Sequence, residues 1–204
     1  MFTSVIPHKL LIASTPDSLN REISGVLNGM IPSFISKANH SLWNYLCGST
    51  INLNEGLNRV VILNDVYIAA HPEIAPILRQ AYYYLTEHGF QLDPRRYGYI
   101  VYDYYDVDTT VPVQTRYADN ISDNDIDDAN YHSCTFVVQK DQVKGDLEIY
   151  TENPGILYEG KKFTLPITSK MTILRSGSLV YNIQPHVGKG KEMSITFILA
   201  TLDQ

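Results

Sequence analysis

The sequence predicts an α+β protein in which helices come first and a series of short strands follows. Three observations carry that reading. Two segments within the first 90 residues place apolar side chains at helical spacing. From residue 97 onward, aromatic and β-branched runs recur, each bounded by Gly, Pro or Ser. No internal repeat or low-complexity linker divides the 204 residues. One domain over 1–204 is therefore expected, with a helical N-terminal lobe and flanking strands at 1–96 and a β core at 97–200.

Taken in order, residues 1–15 read as a strand or extended arm. Thr15-Pro16-Asp17 looks like a helix start, with proline where a missing N–H costs nothing. Behind it Leu19, Ile23, Val26, Leu27 and Met30 share one face, and Pro32 is expected to end the helix. Residues 33–55, rich in Asn and Ser, yield only Trp43, Tyr45 and Leu46 as packing anchors. The run 59–68 fits a strand or a helix. His71-Pro72-Glu73 precedes a clearer helix with a stripe of Ile74, Ile77, Leu78, Ala81, Tyr82 and Leu85, and Gly89 supplies its stop. YGYIVYDYY (97–105) opens the β half. HSCTFVVQ (132–139) and GDLEIY (145–150), joined by KDQVK, are expected to form a hairpin. FTLPI, MTIL, SLVYNI and MSITFILA complete a sandwich or barrel.

Composition limits the function. Hydrophobic residues make up 44% and charged residues 19%, which is globular rather than disordered. A net charge of −6 with no Lys/Arg run excludes general attachment to a phosphate backbone, so no nucleic-acid partner is expected. The apolar stretch in MFTSVIPHKLLIAST is too short and interrupted for a signal peptide or a span; a cytoplasmic protein with no membrane partner is expected. Cys47 and Cys134 are too far apart to suggest a disulfide framework or a zinc pattern, and read as buried thiols.

Asp119, Asp123, Asp125, Asp127 and Asp128 crowd one segment that begins like a calcium loop. The sixth and twelfth positions hold Asp128 and Cys134 instead of Gly and Glu, so a solvated surface loop is expected. The histidines at 8, 40, 71, 88, 132 and 186 show no His-x-Asp or HExxH spacing, and His186 is the strongest candidate ligand among them. There is no nucleophile elbow, phosphate loop or GxGxxG. GKGK (188–191) reads as a turn between strands, because no helix follows it.

Four segments stand in a telling order: YIVYDYY, RYADN, CTFVVQKDQVKGDLEIY and TILRSGSLVYNIQPHVGKGKEMSITFIL. In order and spacing, residues 97–200 resemble the 2-oxoglutarate/iron(II) oxygenases, especially the prolyl-hydroxylase-like branch. YNIQP is similar to that family's HEVQP-type segment, which begins with its second metal histidine. The resemblance implies a double-stranded β-helix, or jelly roll, with N-terminal helices packed on one sheet. It places Asp119 on the carboxylate ligand, Tyr117 on the first histidine and Tyr181 on the second. Lys191 falls where collagen-type relatives carry the lysine that pairs with the distal carboxylate of 2-oxoglutarate. Where many relatives have Arg-x-Ser, Glu192-Met193-Ser194 puts an acid in the slot. His186, five residues after Tyr181, and His132 are the alternative ligands.

The departures from that pattern matter chemically. Two imidazoles and one carboxylate hold Fe(II) and leave positions open for cosubstrate and O₂. A neutral phenol, with an unperturbed pKa of about 10, is a poor ligand, and tyrosinate favours ferric iron. Two readings follow. One is a hydroxylase-type enzyme with an altered metal site, using Fe(II) and 2-oxoglutarate on a protein or small-molecule substrate. The other is an inactive oxygenase-fold protein that needs neither cofactor and serves as a binding or structural module.

Overall fold

A computed structural model describes residues 1–38, 57–63, 72–94, 99–113, 131–141, 143–150, 162–177, 179, 181–183 and 186–202. Two antiparallel sheets face each other, and two helices cover the outer face of the larger one. The larger sheet runs in the order β1 (Thr3–Ile6), β2 (Leu10–Ser14), β9 (Met171–Ser176), β5 (Tyr131–Lys140), β11 (His186–Ala200), β4 (Tyr99–Val113), β3 (Leu57–Leu63). The short β6 (Val143–Lys144) pairs with the start of β11. The smaller sheet is β10 (Tyr181–Ile183), β7 (Leu147–Tyr150) and β8 (Lys162–Leu165).

The alternation of side chains along β5, β9 and β11 sorts the core into two layers. Cys134, Phe136, Leu174, Met193, Ile195 and Phe197 point outward and pack under the helices. There they meet Ile23 and Leu27 of α1 (Asp17–Ala38) and Ile77, Ala81 and Leu85 of α2 (Ala75–Glu87), all fully buried. The next residues in phase, Val137 and Ile173, point the other way and meet Leu147, Ile149 and Leu165 of the smaller sheet. A strand buried on both faces loses the polar–apolar alternation that marks a half-exposed strand, which is why MSITFILA reads as a continuous apolar run.

The helices follow their sequence signals. The Pro16 carbonyl accepts the first helical bond of α1, from Asn20 N–H at 2.9 Å. A 3-10 turn at Pro72–Ile74 leads into α2, with Pro76 in its first turn. Gly89 ends it at φ 84°, a left-handed value that costs a side-chain-bearing residue energy. His88, Gly89 and Phe90 N–H groups return to the Leu85 and Thr86 carbonyls at 3.0–3.2 Å. No described helix is long and apolar enough to cross a membrane.

Three expectations are corrected here. Pro32 does not end α1, which continues to Ala38; the ring removes one backbone bond, and the helix proceeds past it. HSCTFVVQ and GDLEIY do not form a hairpin. β5 and β6 belong to the larger sheet and β7 to the smaller, so the chain crosses between the sheets at Gly145-Asp146. GKGK is not a turn either: Gly188 to Lys191 lie inside β11, opposite Thr109 to Asp106 of β4. That register sets Lys189 across from Asp108 and Lys191 across from Asp106. The ambiguous run at 59–68 contributes to strand β3. The anchors Trp43, Tyr45 and Leu46, Cys47 and the acidic segment 119–128 lie outside the described residues, whereas Cys134 is buried as expected.

Phe136 tests this layering. Its ring is fully buried and meets Phe197 edge-to-face at 6.3 Å between centroids. Phe136→Ala should lower the unfolding free energy by about 3–5 kcal/mol in urea titration. A loss under about 1 kcal/mol would place this ring outside a packed core.

Candidate ligand site inside the barrel

The face of the larger sheet that looks into the barrel is not uniformly apolar. Along β9 the inward positions are Met171, Ile173 and Arg175, so an arginine stands where a third apolar residue would continue the stripe. Arg175 is 5% exposed. Its Nη2 donates to Thr135 Oγ1 of β5 at 3.3 Å. Thr135 Oγ1 in turn shares a 2.8 Å hydrogen bond with Thr196 Oγ1 of β11. The guanidinium carbon lies 4.5 Å from the centroid of the Tyr181 ring, which β10 presents from the opposite sheet. A guanidinium over an aromatic face is an attractive contact, stronger where water is excluded. Arg175, Thr135, Thr196 and Tyr181 thus join three elements of one sheet to the first strand of the other.

A second polar group sits further along the barrel. Met193 packs on the helix side, so Glu192 and Ser194 face inward, and both are buried. The Glu192 carboxylate lies 3.7 Å from Lys140 Nζ, whose side chain is only 3% exposed. Lys140 Nζ also donates to the Gly145 carbonyl and lies 3.8 Å from the Asp146 carboxylate. The Asp146 Oδ1 accepts from Ile167 N–H at 3.0 Å. Lys140 therefore ties β11, the crossover after β6 and the segment following β8 together.

Lys191, expected to be the cosubstrate lysine, is exposed. In a strand, neighbouring side chains point to opposite faces. The inward position that Lys191 was expected to fill belongs to Glu192, and the buried lysine near it is Lys140 of another strand.

His132, an alternative ligand, lies on the helix side of β5. Its ring stands 5.0 Å from the Phe90 ring, edge-to-face, and its Nδ1 accepts from Gly177 N–H at 3.4 Å. It does not join Tyr181 in the barrel. His186 pairs with Val113 at the start of β11, and its side chain is not among those described. Tyr117 and Asp119 also lie outside the described residues. Of the three positions carried over from the metal triad, the structure places Tyr181 alone. Burial raises the Cys134 thiol well above its usual range, against the pull of the nearby Arg175 charge, so this thiol is inert.

No protein-family model matches this sequence, and no curated protein matches it. Solved structures do match its fold. AviO1 from Streptomyces viridochromogenes Tue57 aligns with a TM-score of 0.61 at 12% identity, over 94% of this chain and 89% of that one. HygX from Streptomyces hygroscopicus, solved with nickel and 2-oxoglutarate bound, aligns with a TM-score of 0.52 at 10% identity, over 96% and 83%. SnoN, a non-heme α-ketoglutarate-dependent epimerase from nogalamycin biosynthesis, gives 0.52 at 10% identity, over 96% and 78%. The chain has the double-stranded β-helix fold of the 2-oxoglutarate oxygenases. Identities this low establish the fold and nothing finer.

A permanent cation lies across the Tyr181 ring. If Tyr181 stood at the second metal position, as the resemblance implies, a divalent ion at its phenol oxygen would gain a poor ligand and a like-charged neighbour. Sequence reasoning pointed to Tyr181 but passed over Arg175, Thr135, Thr196 and Lys140. The signal for Arg175 was present in MTILRS, where period-two spacing puts an arginine in phase with Met171 and Ile173.

Two measurements check this geometry. Glu192→Ala leaves Lys140 buried without its inward carboxylate and should cost about 3 kcal/mol; Lys140→Met with Glu192→Leu should recover most of it. A double variant no more stable than the single one would mean that the two side chains are not coupled. For His132, burial lowers the pKa below that of the unfolded chain. The unfolded state then binds the extra proton first, so stability is full above about pH 6.5 and falls as pH drops through that value. In chemical denaturation between pH 8 and 5, His132→Gln should flatten part of that fall. An unchanged slope would show that the ring titrates as in water.

Proposed function

We propose that this chain is an oxygenase-fold binding protein whose barrel no longer runs ferrous oxygenase chemistry. The Arg175 guanidinium stacked on Tyr181 is the observation that carries this reading. Fe(II) at the second ligand position needs a neutral nitrogen donor and an uncrowded approach; that position offers a phenol beneath a cation. The inward Glu192 supports the same conclusion. In the notable slot where the resemblance anticipates a basic residue for the distal carboxylate of 2-oxoglutarate, Glu192 presents negative charge toward Lys140, while Lys191 points to solvent. The barrel itself is retained, with both apolar layers packed.

The other reading is a hydroxylase-type oxygenase with an altered centre at Tyr117, Asp119 and Tyr181, with Fe(II) and 2-oxoglutarate as cofactors. The fold favours it, since HygX binds nickel and 2-oxoglutarate on a similar scaffold. In that case a small molecule or protein would be the substrate, and His186 would be the alternative second ligand. As a proposal, the chain acts as one domain over 1–204, in the cytoplasm, with neither nucleic acid nor membrane as partner.

Anaerobic incubation with Fe(II) and 2-oxoglutarate, followed by metal analysis and a succinate assay in air, separates the two. The binding-protein reading predicts iron far below one equivalent and succinate at the level of the protein-free control. Near-stoichiometric iron that is lost in Asp119→Ala, together with succinate formation, would overturn it.

A further inference from the structure

Where the chain leaves the larger sheet, one amine and two carboxyl groups meet. Lys140 closes β5 and stands directly opposite Glu192 of β11 in the strand register. Its Nζ lies 3.7 Å from Glu192 Oε2 and 3.8 Å from Asp146 Oδ1. We propose that the side chains of Lys140 and Asp146 join in an amide bond, formed by the folded chain itself with Glu192 moving the protons. This modification goes beyond the binding-protein reading and does not depend on whether the barrel takes up iron.

Both reacting groups are held in place. The Ser169 hydroxyl accepts from the Lys140 N–H at 2.6 Å and donates to the Lys140 carbonyl at 3.2 Å, which pins that backbone position. The Nζ itself donates to the Gly145 carbonyl, one residue from Asp146. Two reactants held side by side react as one molecule, with effective concentrations of about 10⁵ M or more in a near-reactive geometry. Burial supplies the driving force. The Lys140 side chain is 3% exposed and that of Glu192 is 9% exposed. In water an ammonium and a carboxylate are more stable than their amide, but buried charges carry a desolvation cost that a neutral amide does not. Asp146, 30% exposed, leaves the displaced water a way out. The Ile167 N–H donates to Asp146 Oδ1 at 3.0 Å. A backbone N–H aimed at a carboxyl oxygen stabilises the negative charge that gathers there when an amine attacks.

The atoms balance without an oxidant or reductant. Glu192 takes a proton from the Lys140 ammonium, and the freed lone pair on Nζ forms a bond to the Asp146 carboxyl carbon. Negative charge settles on Oδ1, under the Ile167 N–H. A second proton leaves Nζ by the same route, the bond from carbon to Oδ2 breaks, and Oδ2 departs with both protons as water. One ammonium and one carboxylate become one amide and one water, and Glu192 ends as it began. The ion cluster is the precursor, because only the folded chain assembles the three groups. The finished bond runs from the end of β5 to the residue before β7, so the crossover between the two sheets becomes covalent.

Mass spectrometry of the full chain tests this. Wild-type protein, held for a day at physiological temperature and then denatured, should weigh one water less than its sequence. Trypsin cuts after Lys144 but not at an amide-bonded Lys140, so residues 117–144 should stay joined to residues 145–161. Asp146→Ala and Lys140→Arg should keep the full sequence mass. In a time course after synthesis, Glu192→Gln should slow the appearance of the joined peptide about a hundredfold or more. Circular dichroism establishes that each variant is folded, and the joined wild-type peptide needs no variant. Wild-type protein at full sequence mass, with ordinary cleavage at Lys140, would leave an ion cluster only and overturn the proposal. A lost water that maps to other residues would overturn it equally. A joined peptide that forms as fast in folded Glu192→Gln as in the wild type would overturn the part given to Glu192.

Discussion

The central constraint is that β11 is buried on both faces from Glu192 to Ala200. It is the strand through which the larger sheet holds together, paired with β4 along one edge and with β5 and β6 along the other. Its alternate residues serve different layers. Met193, Ile195, Phe197 and Leu199 close the helix-side core, whereas Glu192, Ser194 and Thr196 face the barrel. Because the period is two, a shift of one residue exchanges the layers. Burying Phe197 at 0% exposure under the helices fixes that phase. Once it is fixed, Lys191 must point outward and Glu192 inward.

The same phase determines what the barrel can hold. Thr196 is inward because Phe197 is outward, and Thr135 is inward because Phe136 is outward. Their hydroxyls meet at 2.8 Å across the two strands. Arg175 is inward because Leu174 packs with the helices. Three apolar residues aimed at the helices thus place three polar residues in the barrel. Tyr181 completes the group from the smaller sheet, where β10 pairs with β7 through Tyr181 opposite Ile149. The polar interior and the helix-side core are two consequences of one strand register.

Much of the fold was legible in the sequence. The stripe Ile74, Ile77, Ala81 and Leu85 gave a helix because those positions are buried at helical spacing. The order of the C-terminal runs gave the barrel. The failures have physical causes. The link KDQVK looked like a hairpin because it is short and polar, but Val143 and Lys144 pair with β11 instead, and the chain then crosses to the facing sheet, where Asp146 meets Ile167. GKGK looked like a turn because glycine weakens strands, yet pairing along β4 overrides that local preference. For the site, the spacing of YNIQP led to Tyr181. Matching the motif alone does not say which way Lys191 points; strand phase sets Glu192 inward and leaves Lys191 exposed. Arg175 was missed because an arginine at the end of a strand is ordinarily exposed.

The account stands or falls on whether Tyr181 keeps its place against Arg175 or gives it up to a metal. The most direct measurement is a crystal structure after anaerobic loading with Fe(II). The account predicts the guanidinium still lying over the Tyr181 ring, 4.5 Å from its centroid, with no iron at that ring. An iron ion bound by Tyr117, Asp119 and Tyr181 would contradict it.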